Sequence, residues 1–195
     1  MLLVHGMGAN VALMILYITV MVLNGLVAIY DFSFYRIPNM LVLTLIVTYF
    51  TTAPFFLGTD EILISAGIFA GALAIGFGLF FVGLFGGGDA KYLAATAMWA
   101  GSEHIIPFII IVALAGGVLA LGYLFAQPRI VSISTTVWSL ILALEKRYRP
   151  LQCVWAFSGC GPETTKREAI KHNQLPYGIA ISFGMVVVLY IKLTS

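Results

Sequence analysis

The sequence predicts an all-α polytopic membrane protein, with six transmembrane helices and a cytoplasmic loop between the fifth and sixth. Three observations predict it. Of 195 residues, 61% are hydrophobic and only 9% charged, whereas a soluble domain carries ~25% charged residues; the mean hydropathy is +1.04. Apolar runs close to the ~20 residues that cross a bilayer recur along the chain. The basic residues fall on one side of the membrane only if every run crosses it.

The runs come in the following order. The first covers Ala9 to Tyr30 and stops at Asp31, and the second follows Pro38, from Met40 to Leu57. Gly58-Thr59-Asp60-Glu61 breaks the pattern before the third, Ile62 to Phe85. The fourth, Ala90 to Ala100, is short, and Gly101-Ser102-Glu103-His104 separates it from the fifth, Ile105 to Ala126. Residues 127–174 are mixed and polar, and Leu175 to Leu193 is the last run. No signal peptide is evident, since no Lys or Arg precedes the first run. The whole chain, 1–195, reads as a single domain.

At ~1.5 Å per residue the fourth run covers less than ~20 Å, short for a span. Charge decides its reading. Arg129, Lys146, Arg147, Arg149, Lys166, Arg167 and Lys171 all lie in the long polar segment. If the fourth run spans, Arg36 and Lys91 join them on one side, and only Lys192 of the ten basic residues lies opposite. Asp60, Glu61 and Glu103 then also lie opposite. Positive loops stay cytoplasmic, so six spans and an external N-terminus follow. Within 127–174, Val137, Trp138, Ile141, Leu144 and Tyr148 recur at helical steps before Lys146, Arg147 and Arg149. That pattern fits a helix lying in the inner interface or docked over the cytoplasmic mouth.

Most polar side chains have ordinary explanations. Cys153, Cys160 and His172 lack a CxxC pair and a fourth ligand, so no metal site is expected, and no cofactor is called for. On the predicted cytoplasmic side the cysteines stay reduced. A net charge of +2 gives no reason to expect a nucleic-acid partner; membrane lipids are the expected surroundings.

Two acids resist that treatment. Phe85-Gly86-Gly87-Gly88-Asp89-Ala90-Lys91 places a carboxylate between two apolar runs, where insertion costs ~2.5–3.5 kcal/mol. The three glycines strip side chains from the backbone beside it and let another backbone approach. The second acid, Asp31, precedes Arg36, Pro38 and Asn39 at the same end of the runs. A helix-end charge paired with Arg36 would explain Asp31 alone, and a helix cap would explain Asp89 alone. Together, at similar depth, they match a pair of carboxyls sharing a proton, one activating water and the other polarising a carbonyl. No HExxH motif or P-loop competes. Gly83 falls inside the preceding apolar run, where a methyl group is expected to be tolerated, whereas a β-branched residue at Gly88 is expected to obstruct the site.

Asp31 with Ile37-Pro38-Asn39 six residues on, then Gly86-Gly87-Gly88-Asp89 with Lys91-Tyr92, resembles the type IV prepilin peptidases, whose GxGD motif is filled by Gly86, Gly88 and Asp89. Pro176-Tyr177-Gly178 resembles the family's proline-aromatic-glycine start of the last helix. The resemblance implies an inner-membrane aspartic endopeptidase with Asp31 and Asp89 as its catalytic pair. Gly86, Gly87, Gly88, Lys91, Arg36, Pro38, Asn39, Pro176, Tyr177 and Gly178 would bind substrate or shape the loops. The implied partner is a prepilin or pseudopilin, whose basic leader is cut after a glycine at the cytoplasmic face. The larger relatives carry a cytoplasmic extension with paired CxxC motifs, absent here. That departure puts N-methylation of the mature pilin in doubt, and the short form resembles the peptidases of Tad/Flp-type pili. GxGD alone would equally fit an archaeal preflagellin peptidase or a presenilin-like protease. Outside the proteases, a small transporter or channel using the two acids, or an assembly scaffold with close-packed glycines, remains as an alternative.

Overall fold

The computed structural model describes residues 2–147 and 175–194. They form five helices and, among the described residues, no strand: α1 (Leu2–Phe34), α2 (Asn39–Phe56), α3 (Thr59–Phe81), α4 (Gly87–Arg147) and α5 (Gly178–Thr194). Four stretches are long and apolar enough to cross a membrane: Val11–Phe34, Asn39–Phe56, Thr59–Phe81 and Gly87–Phe125; Gly178–Thr194 is a shorter apolar helix. The chain is a helical membrane protein. Helices suit it because each satisfies its own backbone groups where no water is available. Thr44, Thr51 and Thr52 comply, turning their hydroxyls back onto carbonyls of α2.

The helix ends differ from the sequence reading in informative places. α1 does not stop at Asp31 but carries it inside its last turn, and the Tyr35 amide still donates to the Asp31 carbonyl at 2.8 Å. Tyr35 then leaves the helix at φ 54°, a left-handed conformation that costs a non-glycine residue of order 1–3 kcal/mol. Pro38 (φ −62°, ψ 126°) precedes α2 as its cap, where its missing N–H forfeits no helical bond. α3 starts at Thr59 rather than Ile62, because Asp60 and Glu61 complement the positive end of the helix dipole. It ends at Phe81, so Gly83 lies beyond it in a turn at φ 81°. The expectation that Gly83 tolerates a methyl group is therefore corrected: the position needs a residue free to adopt positive φ.

The expected break at Gly101 takes an unexpected form. α4 is helical on both sides of Gly101, yet Gly101 sits at φ 72° and the chain reverses there. The contacts with α5 establish the reversal. Tyr92 meets Ser182, and Lys192 donates to the Trp99 carbonyl at 2.9 Å; this first part of α4 runs with α5. Beyond Gly101 the order inverts. Phe108 and Val112 face Gly184, and Gly116 faces Tyr177. In a straight helix, residues 92 and 116 would stand ~36 Å apart, but their partners, Ser182 on α5 and Tyr177 just before it, are only five residues apart. Helical geometry extends to Arg147, covering most of the expected polar-segment helix. Tyr148 and residues 149–174, including Cys153, Cys160 and His172, lie outside the described residues.

Val20, Val27, Leu45, Met98, Phe108, Ile181, Met185 and Leu189 fill the core between α1, α2, α4 and α5. Trp99 locks α4 to α2, with its ring edge-on to Tyr49 at 5.2 Å and its indole N–H donating to the Leu45 carbonyl at 3.1 Å. Gly76 on α3 lets α4 approach so closely that an added Cβ would lie 2.9 Å from that of Ala90, the close packing of small residues expected between helices in lipid.

Candidate functional site

Asp31 enters the interior because the last turn of α1 faces inward there, burying Ser33 and Phe34 with it. It is only 3% exposed, in a chain region made mostly of aliphatic and aromatic residues. The start of α5 answers it: the Gly178 and Ile179 amides direct their N–H groups at the carboxyl. First-turn amides have no partner within their own helix, which makes them available to an acid. Gly178 must be glycine for this approach. A Cβ there would lie 2.8 Å from Asp31 Oδ2 and 2.9 Å from Ile37 Cδ1. The same Oδ2 is buried without a hydrogen-bond partner among the described residues, leaving an acceptor for water or a substrate.

Asp89 is held by different local chemistry. Gly86 caps α4: its carbonyl accepts the Ala90 amide at 3.0 Å, and its N–H donates to the Asp89 carboxyl. An acid three residues into a helix reaching back to the cap amide is half of a capping box. Close approach again requires glycine, since a Gly86 Cβ would stand 2.7 Å from Asp89 Oδ2. Gly88 abuts Ile37, whose Cβ, N and O lie 3.6–3.9 Å from the position of a Gly88 Cβ. The glycine strip thus lies against the α1–α2 connection at Ile37, whose Cδ1 also stands with Asp31 Oδ2 beside Gly178, so Asp31 and the strip leading into Asp89, 58 residues apart in sequence, border the same residue.

The remaining expected residues divide. Tyr177 is built into the site's wall, its ring 5.1 Å from Phe85 and standing against Gly116; Pro176 is buried beside it. Pro38 is buried in the α1–α2 connection, and Gly87 rests on the Phe80 ring at 3.5 Å. Arg36, Asn39 and Lys91 are exposed. Among the described residues no three His, Cys, Asp or Glu side chains cluster as metal ligands. A cavity of about 430 Å³ opens at the other end of the bundle, beside Glu61, Glu103 and Lys192, remote from the pair.

Sequence reasoning missed two features. The α5 amides carry no side-chain signature; only the glycine of the Pro176-Tyr177-Gly178 turn hinted at them. Asn24, Tyr92 and Ser182 form a buried hydrogen-bonded cluster whose signal was available: isolated polar groups inside apolar runs.

The fold defines a helical membrane protein in which Asp31 and the glycine strip before Asp89 come together around Ile37 at one end of the bundle. The sequence profile of the type IV leader peptidase family matches residues 7–121, more than half of the chain and the part that carries both acids and the glycine strip. The protein belongs to the type IV leader peptidase family, as the motifs anticipated. Comparison with curated proteins and with solved structures returned no match.

Proposed function

We propose that the protein is an aspartic endopeptidase that removes the leader of type IV prepilins, of the Tad/Flp kind, at the cytoplasmic face of a bacterial inner membrane. The carrying observation is that Asp31 and the side-chain-free strip leading into Asp89, from separate helices, both border Ile37. Family membership supports leader peptidase activity in general; the prepilin class and the roles of the acids are our reading.

In this mechanism the pair holds one proton between two carboxyls. The ionised acid takes a proton from water, the protonated acid hydrogen-bonds the scissile carbonyl, and the water oxygen adds to its carbon. Collapse breaks the C–N bond, and the amine leaves with a proton returned from the pair. Water therefore ends up as the new carboxyl and amine termini. The unpartnered Asp31 Oδ2 supplies an acceptor inside the site. The amides of Gly178 and Ile179 fix Asp31 from behind, and Gly86, Gly87 and Gly88 leave room for an extended peptide. Extended backbone at this depth requires a protein-lined cleft that water can enter.

We further propose six crossings with an external N-terminus. The reversal of α4 at Gly101 supports this reading, because it returns the chain to the aspartate end before residues 127–147. The grouping of Glu61, Glu103 and Lys192 at the opposite end supports it too. A prepilin then enters with its apolar helix in the bilayer and its basic leader in cytoplasmic water. Incubating the protein in lipid vesicles with such a prepilin, followed by mass spectrometry of the products, tests the reading. One cut directly after the leader glycine is expected, and a bulky residue in place of that glycine should block it. Cutting in the middle of the apolar helix would instead identify a presenilin-like protease, and no cutting at all would return the transporter and scaffold readings.

A further inference from the structure

We propose that Asn24, Tyr92 and Ser182 form a positioning triad that sets the distance between the catalytic acids; the inference rests on the peptidase reading above. All three are polar and buried: Asn24 and Tyr92 are 0% exposed and Ser182 4%. Tyr92 donates its hydroxyl to Asn24 Oδ1. The same hydroxyl is 2.7 Å from Ser182 Oγ, and Ser182 Oγ reaches the Asn24 carbonyl at 3.2 Å. Asn24 completes its bonding with Nδ2 donating to the Val20 carbonyl at 2.7 Å. The cluster is closed and contains no acid or base, so it has no chemistry of its own to perform.

Its placement gives it a purpose. Asn24 lies seven residues, two helical turns, before Asp31 on α1. Tyr92 lies three residues after Asp89 on α4, and Ser182 lies four after Gly178 on α5. These are the spacings that keep side chains on one helical face. Each member therefore stands one or two turns behind a different part of the site: the first acid, the second acid and the amides that hold the first. Tyr92 also lies within electrostatic range of Asp31. Three helices whose shared core is largely apolar acquire a directional contact at this level. Apolar packing tolerates sliding between helices, whereas a closed hydrogen-bond cluster in a dry interior does not. A displacement of ~1 Å at a catalytic pair can cost ~100-fold in rate.

The test uses the full chain in lipid vesicles and the variant Tyr92→Phe, which keeps the ring and removes the hydroxyl. Its kcat on a prepilin should fall ~10–100-fold with KM within about twofold and thermal stability largely retained. Ser182→Ala should act in the same direction, and the double variant should be little worse than Tyr92→Phe, as members of one network behave. Spin labels at the exposed Val22 of α1 and Phe183 of α5 give a second readout, with a distance distribution that broadens in Tyr92→Phe. Unchanged kcat in Tyr92→Phe overturns the triad while leaving the peptidase reading intact. If the unaltered chain cleaves no prepilin, the peptidase reading fails and the spin labels decide alone. An unbroadened distribution then overturns the triad as a clamp, and a broadened one retains it.

Discussion

At Gly178 one hydrogen atom separates a working approach from a collision. An added methyl group would press on both Asp31 Oδ2 and Ile37 Cδ1 at under 3 Å, so Gly178→Ala should displace the acid. We expect at least a ~10-fold loss of cleavage, measured against the unaltered protein at equal membrane content. Gly83 and Gly88 should separate stability from activity. Gly83→Ala forces a side chain to φ 81°, which costs ~1–2 kcal/mol, and should lower the melting temperature with little effect on turnover. Gly88→Ala meets only ordinary contacts with Ile37, but Gly88→Val adds two further carbons against the α1–α2 connection. Its activity should fall more than that of Gly83→Ala, and a fully active Gly88→Val protein would reduce the strip to a hinge. The acids and glycines were legible in the sequence because a charge in an apolar run is costly and three adjacent glycines are unusual. The φ of Gly83 was not, because an apolar stretch reads alike whether it continues a helix or leaves it.

At the level of elements, most helix ends fall within about a turn of the apolar runs, since length and apolarity decide them in lipid, but α1 begins at Leu2, seven residues before its run. The fourth run was the hard case. Its sequence break at residues 101–104 is a reversal between two helical stretches of α4, which only the pairing along α5 discloses. That reversal depends on one left-handed glycine. Gly101→Val should therefore strain the turn by at least the ~1–2 kcal/mol of a left-handed non-glycine residue, more for a β-branched one. Its expected signs are a lower melting temperature and weaker membrane accumulation. Lys192, which ties the end of α5 to the Trp99 carbonyl, shows the same limit on sequence reading. Charge placed it at the outer end, but its partner was not legible because a carbonyl bond leaves no trace in composition. The Asn24–Tyr92–Ser182 cluster lies between these cases. Its members were visible as polar interruptions, but their pairing depends on three helices meeting in register.

For the whole molecule, the basic residues and the reversal of α4 make one joint statement about orientation. Fusions of a cytoplasm-active reporter after Arg147 should be active, and those at Ser102 inactive; alkaline phosphatase should give the opposite pattern. Phosphatase activity after Arg147 would contradict the proposed orientation. The central claim, however, concerns chemistry, and it requires two carboxyls to act as one unit. Replacing either by an amide nearly preserves shape and removes the shared proton, so a packing defect and a chemical defect can be told apart. The most direct measurement compares prepilin cleavage by the unaltered protein, Asp31→Asn, Asp89→Asn and the remote Asp60→Asn, each in vesicles with its folded fraction measured. Complete loss in the first two variants, with their folded fraction and the activity of Asp60→Asn preserved, is the predicted result. Substantial leader removal by either Asp31→Asn or Asp89→Asn would contradict it.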